Sequence, residues 1–166
     1  MTRTKVLAFL SLLVGIAALG VALGSEKYGG LVPCALCLVE RWPYRIALVF
    51  GVAALVPWRV LRGRWFLWGV VLCMIFSLGA ASVHVGVEQG WWPSPLPECA
   101  APNLGGGSMA ERLARMPARP AKPCDDPTYL VPGLPVSMAA MNGLLSLVFG
   151  LFLAISLVRP EERRHG

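Results

Sequence analysis

Residues 32–58 read VPCALCLVERWPYRIALVFGVAALVPW, and how this stretch divides decides the fold. Its longest uncharged run is Ile46–Trp58. A helix that crosses the hydrocarbon of a bilayer needs about 20 residues. The uncharged part is too short alone. It spans if it extends back through Leu38–Arg45 and lets Arg41 and Arg45 snorkel toward the headgroups. We take the extended reading. Three longer runs accompany it. Val6–Gly24 and Val136–Val158 carry no charge, and Phe66–Val87 is interrupted only by His84. Each of these is long enough to span unaided.

The sequence therefore predicts an all-α polytopic membrane protein, a single domain over residues 1–166. Four transmembrane helices form a bundle at about 6–24, 38–58, 66–87 and 136–158. Two outer loops lie at about 25–37 and 88–135. Composition agrees: 56% of the chain is hydrophobic and 14% is charged, whereas a soluble domain carries about 25% charged residues. The first run follows Arg3 and Lys5 as a signal peptide would. Its apolar part exceeds the roughly 7–15 residues of a signal core, so it is expected to stay as a helix.

With four crossings, both termini and the 59–65 turn share one side. That side holds eight cations, Arg3, Lys5, Arg59, Arg62, Arg64, Arg159, Arg163 and Arg164, and two acids. The remaining seven cations and seven acids fall on the other side, so the net charge of +6 resides on the first. The positive-inside rule makes that side cytoplasmic. The expected arrangement is multi-pass with both termini cytoplasmic. No basic stretch is interleaved with aromatics, which argues against nucleic acid.

The five cysteines divide by side. Cys34 and Cys37 close the first outer loop, Cys99 and Cys124 lie in the second, and Cys73 lies within the third helix. Four thiols facing an oxidising compartment suggest disulfides, in any of three pairings. Adjacency favours Cys34–Cys37 and Cys99–Cys124. A Cys-x-x-Cys ring closes too short a loop to be an effective staple. Its value is chemical, since a thiol at a helix N-terminus is pushed toward thiolate. Pro33 suits a first helical position, which would put both thiols in the first turn. Arg41, four residues after Cys37, shares its helical face. A fixed cation there suits a thiolate or a reduced, anionic organic cofactor.

Other residues carry plainer readings. A four-sulfur zinc site fits the spacing, but the oxidising side argues against it and no metal is expected. Structural disulfides in a non-enzymatic scaffold are the alternative from another class. His84, an ionisable group within a span, is a functional candidate. Asn142 is read as an interhelical hydrogen-bonding residue, Cys73 as packing and Arg45 as an interfacial anchor. Pro43 either kinks the second helix or marks its start.

In the second loop, Trp91 and Trp92 suit an aromatic belt. Pro93, Pro95 and Pro97 lead in extended fashion to Cys99, and Gly105–Gly107 is a flexible break. Ser108 and Glu111 have capping-box spacing. A short surface helix starting there would carry Met109, Leu113 and Met116 on one face and Arg112, Arg115 and Arg119 on another. The loop is expected to be mobile, carrying its disulfide toward the fixed pair for exchange.

The combination resembles the DsbB family of membrane disulfide-generating proteins. The resemblance rests on PCALCLVER at the second helix, HVGVEQGWWPSPLPEC leading to the loop cysteine, Cys124, and PVSMAAMN opening the last helix. It implies a quinone-dependent oxidoreductase that reoxidises a periplasmic DsbA-like thioredoxin-fold oxidase. Carried over by position, the partner's thiolate attacks Cys99, and released Cys124 exchanges with Cys34. In the bacterial inner membrane that the resemblance implies, Cys37 is then the thiolate lying against a membrane quinone, ubiquinone or menaquinone, with Arg41 and His84 at the cofactor. The segment after Cys124, DDPTYLVPGLP, lacks the tryptophan expected there, a departure that bears on which oxidase is the partner rather than on the reaction. The vitamin K epoxide reductase family, similar in chemistry, carries its Cys-x-x-Cys late in the bundle rather than at the second helix.

Overall fold

The computed structural model describes residues 3–56, 60–99, 108–114, 122–131 and 133–159. Four long helices account for most of them: α1 Arg3–Lys27, α2 Ala35–Leu55, α3 Val60–Glu88 and α5 Met138–Val158. A short α4, Met109–Ala114, and a 3₁₀ turn at Pro97–Cys99 lie in the second loop. No strand forms among the described residues, and Tyr129 and Ser137 make an isolated antiparallel bridge. Three helical stretches, Arg3–Lys27, Gly63–Glu88 and Met138–Val158, are long and apolar enough to cross a membrane. The chain is a helical membrane protein with three such spans. The fourth long helix, α2, is comparable in length to α5 but carries Glu40, Arg41 and Arg45.

The start of α2 is set by Cys34. Its backbone is extended, φ −79° and ψ 170°, and its sulfur accepts from the Cys37 N–H, as a capping side chain does. Pro33 therefore stands outside the helix rather than at its first position, and Cys34 is the cap rather than part of the first turn. Pro43 lies inside α2 and neither begins nor ends it.

The helix α3 is the centre of the assembly. It packs on α2 along one side and α5 along the other, while α1 packs on α2. Leu7, Tyr44, Leu67, Val70, Met74 and Leu153 meet in the core. Contact between α1 and α2 is close because each offers a glycine to the other's leucine. A Cβ on Gly15 would stand 2.8 Å from Leu48, and one on Gly51 2.9 Å from Leu12. Small residues at such crossings let helix backbones approach where no water drives them together. The outward faces are apolar, with Ile16, Val49, Leu72, Ile75 and Val148 all exposed. Water would disfavour a continuous surface of this kind and lipid would not.

Loop structure near the site is specific. The Trp92 ring lies directly over Gly86 and leaves no room there for a Cβ. Its indole Nε1 donates to the Val83 carbonyl at 3.0 Å. Ser108 and Glu111 make the reciprocal capping box of α4 at 3.0 and 3.3 Å. The apolar and basic faces expected of α4 need Arg115, Met116 and Arg119, which lie outside the described residues, as do Gly105–Gly107 and the cations Arg59, Arg163 and Arg164.

Candidate functional site

The functional side chains gather at one end of the bundle. The cap of α2 brings Cys34 and Cys37, and the last two turns of α3 bring His84 and Glu88. The two thiols are reduced, with their sulfurs 2.8 Å apart. Cys34 is buried at 4% exposure and Cys37 half-buried. The hydrogen bond between the two sulfurs holds the Cys34 thiol below its ordinary pKa despite opposing burial. The Cys37 backbone N–H adds to the same effect at 3.2 Å. Cys34 is thus the sulfur prepared as a thiolate.

Behind the pair stands His84, 3% exposed. Its Nε2 is 3.4 Å from the Cys34 sulfur, and its Nδ1 is 2.8 Å from Glu40 Oε1. With Glu40 ionised, Nδ1–H donates to the carboxylate, leaving Nε2 as an acceptor facing the thiol. The other oxygen, Glu40 Oε2, accepts from Asn142 Nδ2 at 2.8 Å. Tyr44 donates its hydroxyl proton to Asn142 Oδ1 at 2.6 Å and lies 3.0 Å from Ser146, which in turn reaches Ser77 at 2.9 Å. Polar side chains of α2, α3 and α5 thus continue inward from His84 by hydrogen bonds. Asn142 does bond between helices, as expected, but its partner is a carboxylate that touches the histidine behind the thiols.

Cys99 and Cys124 form a disulfide, with Cα atoms 5.0 Å apart. Both are buried, at 5% and 1% exposure, in one apolar cluster with Cys34, Leu36 and Val87, flanked by Cys37 and Leu96. The loop disulfide is therefore packed against the helix-cap pair in this structure, rather than held away from it.

A cavity of about 450 Å³ lies on the other side of Cys37. Its walls come from α1, α2 and α5 and include Val14, Ala18, Cys37, Glu40, Arg41 and Leu145. Size and apolar lining with a few convergent polar groups suit a small organic ligand. Arg41 is 8% exposed, and its guanidinium pairs with Glu26 at the end of α1 at 2.8 Å. Of the cofactor residues expected from sequence, Cys37 and Arg41 line this cavity, while His84 faces the sulfurs behind it. Sequence reasoning missed Glu26, Glu40 and Glu88. For Glu40 a signal existed, because a carboxylate inside an otherwise apolar helix needs a partner as much as a histidine does.

Membrane-crossing helices with a thiol pair at a helix cap, packed on a disulfide, define a membrane thiol–disulfide protein. The comparisons are narrower. The family described as Disulfide bond formation protein DsbB matches residues 4–156. The chain belongs to that family and is a disulfide-formation membrane protein. It is 26% identical over 164 residues to "Uncharacterized protein RP370" of Rickettsia prowazekii (strain Madrid E), covering 98% of this chain and 92% of that one. It is 33% identical over 97 residues to "Disulfide bond formation protein B" of Paracidovorax citrulli (strain AAC00-1), covering 58% of this chain and about half, 51%, of that relative. No solved structure matches the chain.

Proposed function

We propose that the protein is a quinone-dependent thiol oxidase of the inner membrane, with α2 as a fourth span and both termini cytoplasmic. It takes electrons from the dithiol of a DsbA-like periplasmic thioredoxin-fold partner. The single observation that carries this reading is the position of the Cys34/Cys37 pair. One side packs against the Cys99–Cys124 disulfide, and the other opens on a cavity containing a buried arginine.

The steps balance as two thiol–disulfide exchanges followed by one two-electron transfer. A partner thiolate attacks Cys99, breaking the Cys99–Cys124 bond and forming a mixed disulfide. The second partner thiol resolves it and leaves as partner disulfide. The freed Cys124 thiolate attacks Cys34 of an oxidised Cys34–Cys37 pair, and Cys99 completes the exchange, leaving two thiols at the α2 cap. A quinone in the cavity, held beside Cys37 and Arg41, would supply the acceptor for the two electrons and two protons of that dithiol. The residues of this chain prepare that transfer. The Cys37 side chain and the α2 backbone favour ionisation of Cys34, and His84 Nε2 is placed to take the proton that leaves it. Glu40 and Asn142 fix the imidazole. Arg41 supplies the positive charge at the cavity wall that favours a reduced, anionic occupant. Ubiquinone and menaquinone both suit this chemistry.

The test is anaerobic, with purified protein in detergent, a reduced DsbA-like protein and ubiquinone. Loss of the oxidised-quinone absorbance, dependent on both Cys99 and Cys37, is the expected result. Folded protein that reduces neither ubiquinone nor menaquinone would overturn the proposal in favour of a scaffold with stapled loops.

A further inference from the structure

The sulfurs of Cys34 and Cys37 and a ring nitrogen of His84 all lie within 4.8 Å of one another. A carboxylate stands next to the ring, outside that group of three. Glu88 Oε1 is 3.9 Å from His84 Nε2, and the Glu88 side chain is 3% exposed. His84 and Glu88 are four residues apart on α3 and share one face. The ligand pattern is thus Cys-x2-Cys from one helix start and His-x3-Glu from one helix end, donors and spacing of a kind that tetrahedral zinc accepts. Zinc–sulfur bonds of about 2.3 Å and zinc–nitrogen bonds of about 2.0 Å place ligand atoms roughly 3.4–3.8 Å apart around a tetrahedron. Cys34 Sγ and His84 Nε2, at 3.4 Å, already have that separation. The sulfurs, at 2.8 Å, need to part by about 1 Å.

The outer shell is also in place. Glu40 holds His84 Nδ1 at 2.8 Å, which turns Nε2 toward the sulfurs in the way carboxylates orient zinc-binding histidines. Asn142 fixes Glu40 in turn, and Ser137 donates to Glu88 Oε2 at 2.6 Å. Cys37 lies on the cavity wall, which gives an ion a route to the buried donors.

We propose that the reduced Cys34/Cys37 pair, with His84 Nε2 and the Glu88 carboxylate, binds one zinc(II) ion, and that oxidation of the pair abolishes the site. Binding forms two zinc–thiolate bonds and releases two protons. No electron moves. The ion occupies both sulfurs that disulfide exchange needs, so it acts as a reversible block and not as a resident cofactor. The site requires neither quinone nor partner and goes beyond the electron-transfer reading.

The test uses the full chain in detergent with Cys73→Ala, which removes the remaining free thiol. Protein reduced under anaerobic conditions is titrated with zinc against a chromophoric chelator, and circular dichroism verifies folding. One zinc per chain is expected in the reduced form and none in the oxidised form. Glu40→Gln keeps the shape of the side chain and is expected to weaken binding about 10–100-fold. Cobalt(II) in place of zinc should give a tetrahedral spectrum with sulfur-to-metal charge transfer, lost in Cys34→Ser. No binding by folded reduced protein, equal binding by the oxidised form, or an unchanged spectrum in Cys34→Ser would overturn the proposal. A protein that binds zinc one-to-one yet reduces no quinone would lose the proposed function and keep this site.

Discussion

Two hollows in this bundle each have a free cysteine on the wall. The larger, about 450 Å³, holds Cys37 among Glu26, Glu40 and Arg41. The smaller, about 250 Å³, holds Cys73 among Trp42, Pro43, Ile46, Phe50 and Phe76. Both offer a half-buried thiol beside apolar space. What differs is the company. Cys37 touches another sulfur and shares its wall with a cation and two carboxylates, whereas Cys73 meets only hydrocarbon and aromatic rings. A cavity and a thiol alone thus do not tell the two hollows apart. The groups that stabilise charge are what distinguish the first hollow.

The sharpest way to break this comparison is to exchange the two thiols' fates. Cys37→Ser is expected to bring quinone reduction to assay background, while Cys73→Ala leaves the rate unchanged. Loss of activity in folded Cys73→Ala would erase the distinction. Next in size is Arg41→Ala, expected to raise the KM for quinone about tenfold, the worth of a hydrogen bond to a charged group. A KM that stays put would take Arg41 out of the site. Asn142→Leu leaves Glu40 Oε2 and the Tyr44 hydroxyl short of a partner. The expected cost is about 1–3 kcal/mol, read as a lower thermal midpoint in detergent.

A smaller effect concerns acidity. The Cys34 thiol titrates below the ordinary range because of its hydrogen bond with the Cys37 side chain. Alkylation of Cys34 by a small reagent should therefore reach its plateau at lower pH than in Cys37→Ala, and identical profiles would refute the assignment. The linked stability follows the sign of a depressed acid. It is present above the unfolded-state pKa and is lost as pH falls through the folded one. The smallest effect is reserved for Glu26→Gln. The Arg41–Glu26 pair is partly exposed, at 10% and 39%, so removing the carboxylate charge should lower the quinone KM by only about two- to threefold. An increase would mean that Glu26 holds Arg41 in its working position.

Much of this was legible in the chain. The three long apolar runs foretell α1, α3 and α5, because uninterrupted stretches of membrane-spanning length admit few other structures. The cysteines outside the long runs mark the site, since a Cys-x-x-Cys at a helix start has a chemical reason to be there. Glu40 was not legible as a site residue. Its role depends on His84, 44 positions away, and Asn142, 102 positions away, and local spacing says nothing about either. The cap at Cys34 was missed for a different reason. Proline is equally at home just before a helix and at its first turn, so Pro33 could not fix the boundary. The packing of the loop disulfide on the α2 cap is a tertiary fact, carried by Leu96, Val87 and Leu36 rather than by any motif.

The meshing of Gly15 with Leu48 and Gly51 with Leu12 locks α1 to α2, while α5 is anchored on α3. The large cavity is walled by α1 and α5, the two helices that are not meshed together. A membrane-soluble ligand that enters between them would partition from the hydrocarbon layer rather than from bulk water. Its effective concentration is then a mole fraction in the amphiphile phase. An apparent KM measured in micelles should accordingly rise as more detergent is added at constant total quinone, by surface dilution alone.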